Sequence, residues 1–268
     1  MKRNRTVRTT LLILMLIVGV TSLLTGCSGV TNDSRNAVYD DMKETFEKSG
    51  LLSANIGIFS RMETDGSVTY GEGGSGVIFK KDDKSYYALT AAHVVSAEGA
   101  ELLVFTANTE MKTEDIPGVN TNVLSSDVYD AMYQAETVYV STRDDLAVIR
   151  FSADEDLSVI TIADSDPKNG DRIMCIGNPQ NEWFALSYGK ITSGIETFGE
   201  AQGFPSNVMK HSAYIHVGSS GGAALNEKMQ LAGIVPGGSF SLDGSTFRFG
   251  VLIPASEIRL CLEEWGGQ

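Results

Sequence analysis

Residues 86–95 read YYALTAAHVV: an aromatic and apolar run that breaks at two alanines and ends on His93. Such a stretch is a strand that delivers one titratable side chain to its end. Two further stretches repeat the device. RDDLAVIRF at 143–151 opens a strand with Asp144 and Asp145, and GSSGGA at 218–223 sets Ser220 among three glycines. A nucleophilic serine needs a base to take its proton and a carboxylate to orient that base. The ordered trio His93, Asp145 and Ser220 therefore points to acyl transfer. Taken singly, each has a duller account: a core histidine, a strand-end charge, a flexible loop. Their joint occurrence at strand ends carries the reading.

Outward from the trio, short β-branched and aromatic runs recur between Gly, Asp and Asn breaks. A first set covers 54–60, 76–80, 86–90, 102–105, 137–140 and 146–151. A second covers 172–176, 184–192, 212–217, 231–235 and 247–253. Two groups of about six strands predict an all-β fold of two barrels. Residues 107–135 lack a clear period and read as an insertion in the first barrel, with a short helix around 127–133. A linker helix is predicted from 31 to 50, capped by Asp33 or Ser34, and a terminal helix from 255 to 265.

The chain starts outside this core. Lys2, Arg3, Arg5 and Arg8 precede a 14-residue apolar run, Leu11 to Leu24, and no acid appears before Asp33. That is a signal-peptide pattern, with a run too short to span a bilayer. It ends in Leu24-Thr25-Gly26-Cys27, which resembles a bacterial lipobox. The resemblance implies cleavage before Cys27 and a lipid on its sulfur, leaving the protein tethered outside the cytoplasmic membrane. Losing residues 1–26 removes four cations and moves the formal net charge from −13 to −17. So acidic a body disfavours nucleic acid and anionic lipid surfaces, so the lipid and not the charge would hold it at the membrane. Cys175 and Cys261 lie in apolar settings that favour buried thiols over a disulfide. No metal-ligand spacing is present, and the trio needs no cofactor.

From about Gly74 to Ile258 the motifs GSGVIF, ALTAAHVV, DDLAVIRF, IADSDPKNGDRI, IGNP, YGKITSG, GSSGGAAL, LAGIV and FGVLIPASEI follow in order. This run resembles the trypsin-like serine peptidases, most closely the bacterial Deg/HtrA peptidase domain. The resemblance implies two six-stranded antiparallel barrels with the active site in the cleft between them, and protein or peptide substrates. Ser220 takes the nucleophile's place, His93 that of general base and then acid, and Asp145 that of the partner orienting the imidazole. Asp144 is the competitor for that third role; the family motif puts the acid directly before Leu-Ala. The N–H groups of Gly218 and Ser220 take the place of the oxyanion hole. Ser219 stands where relatives more often have Asn or Asp. By the same resemblance the pocket for the cleaved residue is lined by Tyr214 and by Val235, Pro236, Gly237 and Gly238. None of these is acidic, so a small or apolar side chain is expected there. His211 and His216 are assigned surface or structural roles.

These readings lay the chain out as a signal peptide over 1–26, a tether and linker helix over 27–52, and a peptidase domain over 53–268. The barrels would meet near residue 155. A membrane-tethered serine endopeptidase is the first expectation. The alternative, from another class, is a binding or chaperone-like lipoprotein that keeps the fold without useful catalysis.

Overall fold

A computed structural model describes residues 39–111, 113–114, 123–124, 126–197 and 207–267. Strands β1 (Asn55–Thr64), β2 (Ser67–Asp82), β3 (Ser85–Thr90) and β4 (Glu101–Phe105) come first, followed by two short strands, β5 (Thr113–Glu114) and β6 (Val123–Leu124). Then come β7 (Tyr133–Ser141) and β8 (Leu146–Ser152). Six of these close a barrel in the order β1-β2-β3-β8-β7-β4, and the β1–β4 pairing of Gly57 with Phe105 completes the ring. Closure leaves no free edge on the element that carries His93 and Asp145.

The second half contributes β9 (Arg172–Gly177), β10 (Ala185–Lys190), β11 (Glu196–Thr197), β12 (Asn207–His211), β13 (Gly222–Leu225), β14 (Leu231–Phe240) and β15 (Phe247–Pro254). They form one sheet, ordered β10-β9-β13-β14-β15-β12-β11. A bridge between Ile191 and His211 draws β10 towards β12, so the sheet curls into the second barrel. The architecture is the expected all-β pair of antiparallel barrels. It has seven strands rather than six in the second unit, the extra one being the two-residue β11.

One expected strand is absent. Residues 212–217 join no ladder; their backbone is held by isolated bonds, with Ser212 N donating to Lys190 O and Val217 O accepting from Gln180 N of other segments, and His216 O accepting from Ser219 N within the turn. The strand on the other side of the reactive turn, β13, is GAAL and carries no β-branched residue to announce it. It is held instead by β9 and β14 on its two edges.

Strands read as near-continuous apolar runs because both faces are covered. In β8, Leu146 and Val148 join a core shared by both barrels, while Ile149 and Phe151 point into the first barrel. In β9, Met174 and Ile176 enter the shared core and Ile173 and Cys175 the second barrel. The period of two therefore sorts alternate residues between two hydrophobic environments.

Helix α1 (Asp40–Ser49) is shorter than the predicted linker helix, whose Asp33 and Ser34 caps lie outside the described residues. Met42 and Phe46 bury its inner face in the shared core. A five-residue helix, α2 (Ser126–Asp130), stands near the expected place in the insertion. The last helix, α3 (Ala255–Trp265), is as expected; Ile258 and Cys261 reach the shared core, and Trp265 packs on Tyr87 of barrel one at 5.5 Å. Cys175 and Cys261 are buried and unpaired, and burial pushes both thiols up to about 12.

Candidate active site

Strand β3 ends at Thr90, and a single 3-10 turn over Ala92–Val95 throws His93 to the rim of barrel one. The β7–β8 turn meets it there. Asp145 has φ of 51°, a left-handed conformation in which its carbonyl accepts from Ala92 N at 3.1 Å and its Oδ1 from His93 N at 2.9 Å. The same carboxylate lies 2.8 Å (Oδ2) and 3.1 Å (Oδ1) from His93 Nδ1. A carboxylate only accepts, so Nδ1 carries the proton and Nε2 presents its lone pair to the cleft.

Asp144 faces the other way. It is 5 % exposed and accepts from Ser141 Oγ at 2.7 Å and from Arg143 Nη2 at 2.8 Å. Burial raises its pKa, but these donors outweigh burial and hold the carboxyl below its ordinary value. The two adjacent acids are thus separated by function of place: one on the imidazole, one on an arginine that continues to Glu264 of α3 at 3.4 Å.

Ser220 arrives from barrel two on a turn that needs glycine twice. Gly218 and Gly221 have φ of 95° and 83°, and a Cβ on them would lie 2.2 Å from Asn178 O and 2.1 Å from Ser75 O. Within the turn, Ser219 N donates to His216 O, Gly221 N to Val235 O and Gly222 N to Ser219 O. Among the described residues the N–H groups of Gly218 and Ser220 have no partner. Ser220 Oγ donates to Pro236 O at 3.1 Å rather than to His93.

The residues expected to meet the substrate divide into two groups. Tyr214 and Val235 line a cavity of about 140 Å³ behind the reactive turn, together with Ile176, Leu186, Ser219 and an exposed acid at its mouth, Glu182. Pro236, Gly237 and Gly238 lie on β14 beyond the point where β13 stops pairing, at Gly222–Val235, so that edge of β14 is open beside Ser220. Sequence reasoning missed Glu182 and the aromatic neighbours of Tyr214 and His216, namely Phe240 and Phe247, with neighbouring rings 5.4–6.3 Å apart. It also gave no role to Ser75 and Asn178, although both stand in quoted motifs.

His211 is buried against Gly250, with Nε2 3.3 Å from Val251 O, and burial lowers its pKa to about 4. It is a structural residue, on the far side of the strand end from His216. Cys27 lies outside the described residues.

A family profile described as a trypsin-like peptidase domain matches residues 74–234. The chain is 31% identical over 226 residues to a serine protease Do-like HtrB of Bacillus subtilis, covering 76% of this chain and 42% of the relative. It is 30% identical over 193 residues to a probable periplasmic serine endoprotease, DegP-like, of Buchnera aphidicola, covering 71% and 35% respectively. The chain thus spans less than half the length of these relatives. Its fold is similar to the crystal structure of the serine endoprotease from Yersinia pestis, with a TM-score of 0.57 at 24% identity over 85% of this chain and 66% of that one.

Proposed function

The chain belongs to the trypsin-like peptidase domain family, and from that premise we propose that it is a serine endopeptidase tethered through a lipid on Cys27 to the outer face of the cytoplasmic membrane. Ser220 Oγ attacks the scissile carbonyl. His93 Nε2 takes its proton and later gives it to the leaving amine, while Asp145 fixes the imidazole's tautomer and stabilises its charged form. The carbonyl oxygen, as it becomes an oxyanion, is received by the N–H groups of Gly218 and Ser220.

The observation that carries this reading is the meeting, at one cleft, of the 2.8 Å His93–Asp145 contact with two N–H groups left without partners on either side of Ser219. Buried or half-buried backbone donors are rarely left unpaired without a reason, and a ligand oxygen supplies one. In the working cycle Ser220 Oγ exchanges Pro236 O for the imidazole, and that carbonyl is then free to accept from the substrate backbone.

The open edge of β14 gives the substrate its track. An extended peptide adds there as a strand, and Pro236 and Gly238, two residues apart, address it on the same side. Pro236 offers only a carbonyl, so further pairing falls to Gly238. The small and apolar pocket walls favour a small or apolar residue at the cleaved bond, with no dependence on Arg or Lys.

The Ser220–Pro236 contact also favours the second reading, a binding protein with a silent site. Labelling by a fluorophosphonate probe separates the two. Wild type is expected to label and to digest casein, and Ser220→Ala to do neither; a wild type that takes no probe while folded would leave only the binding reading. The tether is tested separately, with Cys27→Ala expected to release the protein into the medium.

A further inference from the structure

Ser75, in the GSG motif of β2, is 1 % exposed, and every polar atom it has is engaged. Its N donates to Ser220 O at 2.7 Å and its Oγ donates to Gly218 O at 2.8 Å. The Oγ accepts from Asn178 N and Nδ2, both at 3.0 Å, and the Ser75 carbonyl accepts from Thr90 Oγ1 at 2.7 Å. Asn178 is equally enclosed, at 4 % exposure, and its Oδ1 accepts from Phe184 N at 2.9 Å, closing the 178–184 loop. From that loop Gln180 N donates to Val217 O at 2.9 Å.

These bonds act on particular peptide planes. The plane that carries Ser220 N–H lies between the one ending in Gly218 O and the one ending in Ser220 O, and Ser75 holds both outer planes. The plane that carries Gly218 N–H has Val217 O at its other end, held by Gln180. A turn with two left-handed glycines has little stiffness of its own, so its orientation depends on what grips it from outside. The geometry points to Ser75 and Asn178 as positioning residues: they clamp the carbonyl side of the reactive turn and thereby keep the N–H groups of Gly218 and Ser220 aimed at the reacting oxygen. This deepens, and rests on, the reading of Ser220 as nucleophile. Thr90 Oγ1 also lies against Gly221 of the turn, so the control is taken elsewhere in barrel one: Tyr86 is 1 % exposed, and its OH donates to Glu155 O at 2.9 Å and accepts from Leu157 N at 3.2 Å.

The test uses the full chain as wild type, Ser75→Ala, Asn178→Asp and Tyr86→Phe, on a quenched peptide taken from a casein cleavage site. Three quantities are read: kcat and KM, the inhibition constant of a peptidyl boronate that forms a tetrahedral adduct on Ser220, and the melting temperature. Ser75→Ala is expected to lower kcat about 10-fold to 100-fold with KM changed less than about 3-fold, the range for misaligned or lost oxyanion donors. The boronate should weaken by the same factor. Asn178→Asp keeps the acceptor for Phe184 and loses the Nδ2 donor; it should move in the same direction by a smaller factor, and it carries the test if Ser75→Ala does not fold. Tyr86→Phe should leave kcat and boronate affinity within about 3-fold, since it loses buried hydrogen bonds that involve no residue of the reactive turn.

A Ser75→Ala protein with lowered melting temperature but unchanged kcat and boronate affinity would reduce Ser75 to a packing residue and overturn the inference. So would an equal loss in Tyr86→Phe. A wild type that takes neither boronate nor fluorophosphonate would overturn the nucleophile assignment itself, and the clamp with it, so the two failures are told apart by the wild type alone.

Discussion

Barrel one and barrel two bring different kinds of part to the same cleft. Barrel one is closed, and its two side chains are already in contact: His93 and Asp145 sit on short turns joined by Ala92 N to Asp145 O and by His93 N to the Asp145 carboxylate. Barrel two is a curled sheet whose contribution hangs on a glycine turn, with Ser220 directed at Pro236 and not yet at His93. On the proposed mechanism, the half that would hold and move the proton is pre-assembled. The half that would attack is bonded from outside by barrel one's Ser75 and would still have to turn from Pro236 to His93. The division follows from chemistry, because a base must keep one tautomer throughout while a nucleophile must change partners between steps.

The largest effects break this comparison at each side in turn. Ser220→Ala is expected to lower kcat by about 10⁶-fold, and Asp145→Asn by about 10⁴-fold through the wrong imidazole tautomer. Asp144→Asn should cost stability instead: it disturbs a buried, hydrogen-bonded carboxylate and leaves the His93 contact in place, so kcat should stay within about 10-fold while urea unfolding shifts by about 1–3 kcal/mol. Rates and urea curves for the three variants check this, and a larger rate loss in Asp144→Asn than in Asp145→Asn would reverse the division of labour between the acids.

Next in size is a test of how far barrel two depends on barrel one for its shape. Gly221→Ala puts a Cβ at 2.1 Å from Ser75 O on a backbone with φ of 83°. It should destabilise the fold by about 2–4 kcal/mol and lower activity beyond what lost stability explains, because the turn must leave Ser75 to make room. A stable, active Gly221→Ala protein would show that the turn holds itself.

Barrel two also has its own acid sensitivity. His211 has its pKa lowered from 6.5 to about 4 by burial against Gly250 and Val251. A depressed histidine is neutral in the fold and charged in the unfolded chain between these values, so its contribution is whole above pH 6.5 and is lost as pH falls towards 4. At about 1.4 kcal/mol per unit the loss approaches about 3 kcal/mol. Urea unfolding of wild type and His211→Leu across pH 7 to 4 should give a difference that shrinks with acid in this window; parallel curves would contradict it.

Much of this was legible in the sequence because strand ends have local signatures. TAAHVV, RDDLAVIRF and GSSGGA each combine a period-two run with a turn, and the motif order placed all three at one cleft. What stayed illegible is long-range. Ser75 bonds to residues 103 and 143 positions away, and no spacing within the chain encodes that. Strand β13 escapes a sequence reading because GAAL suits close approach of backbones and has no β propensity, and 212–217 reads as a strand because alternation is the same whether a ladder or isolated bonds to other segments hold the backbone. The competition between Asp144 and Asp145 could not be settled by propensity at all; the partner of each is a matter of which side of the β7–β8 turn it leaves.

The smallest predicted effect asks whether barrel one's acid turn is self-sufficient. Glu264 of α3 reaches back from the end of the chain to Arg143 at 3.4 Å and accepts from Tyr139 OH at 2.9 Å, which ties the last helix to the turn carrying Asp145. Arg143 is 66 % exposed and Glu264 52 %, so the ion pair is screened and worth about 0–1 kcal/mol. Asp145 meanwhile is fixed by its own bonds to Ala92 and His93, none of which passes through Glu264. Glu264→Gln should therefore shift the urea midpoint by less than about 1 kcal/mol and kcat by less than about 3-fold. A tenfold fall in kcat without a matching loss of stability would mean that the terminal helix, and through it anything pulling on the end of the chain, steers the acid that barrel one otherwise holds alone.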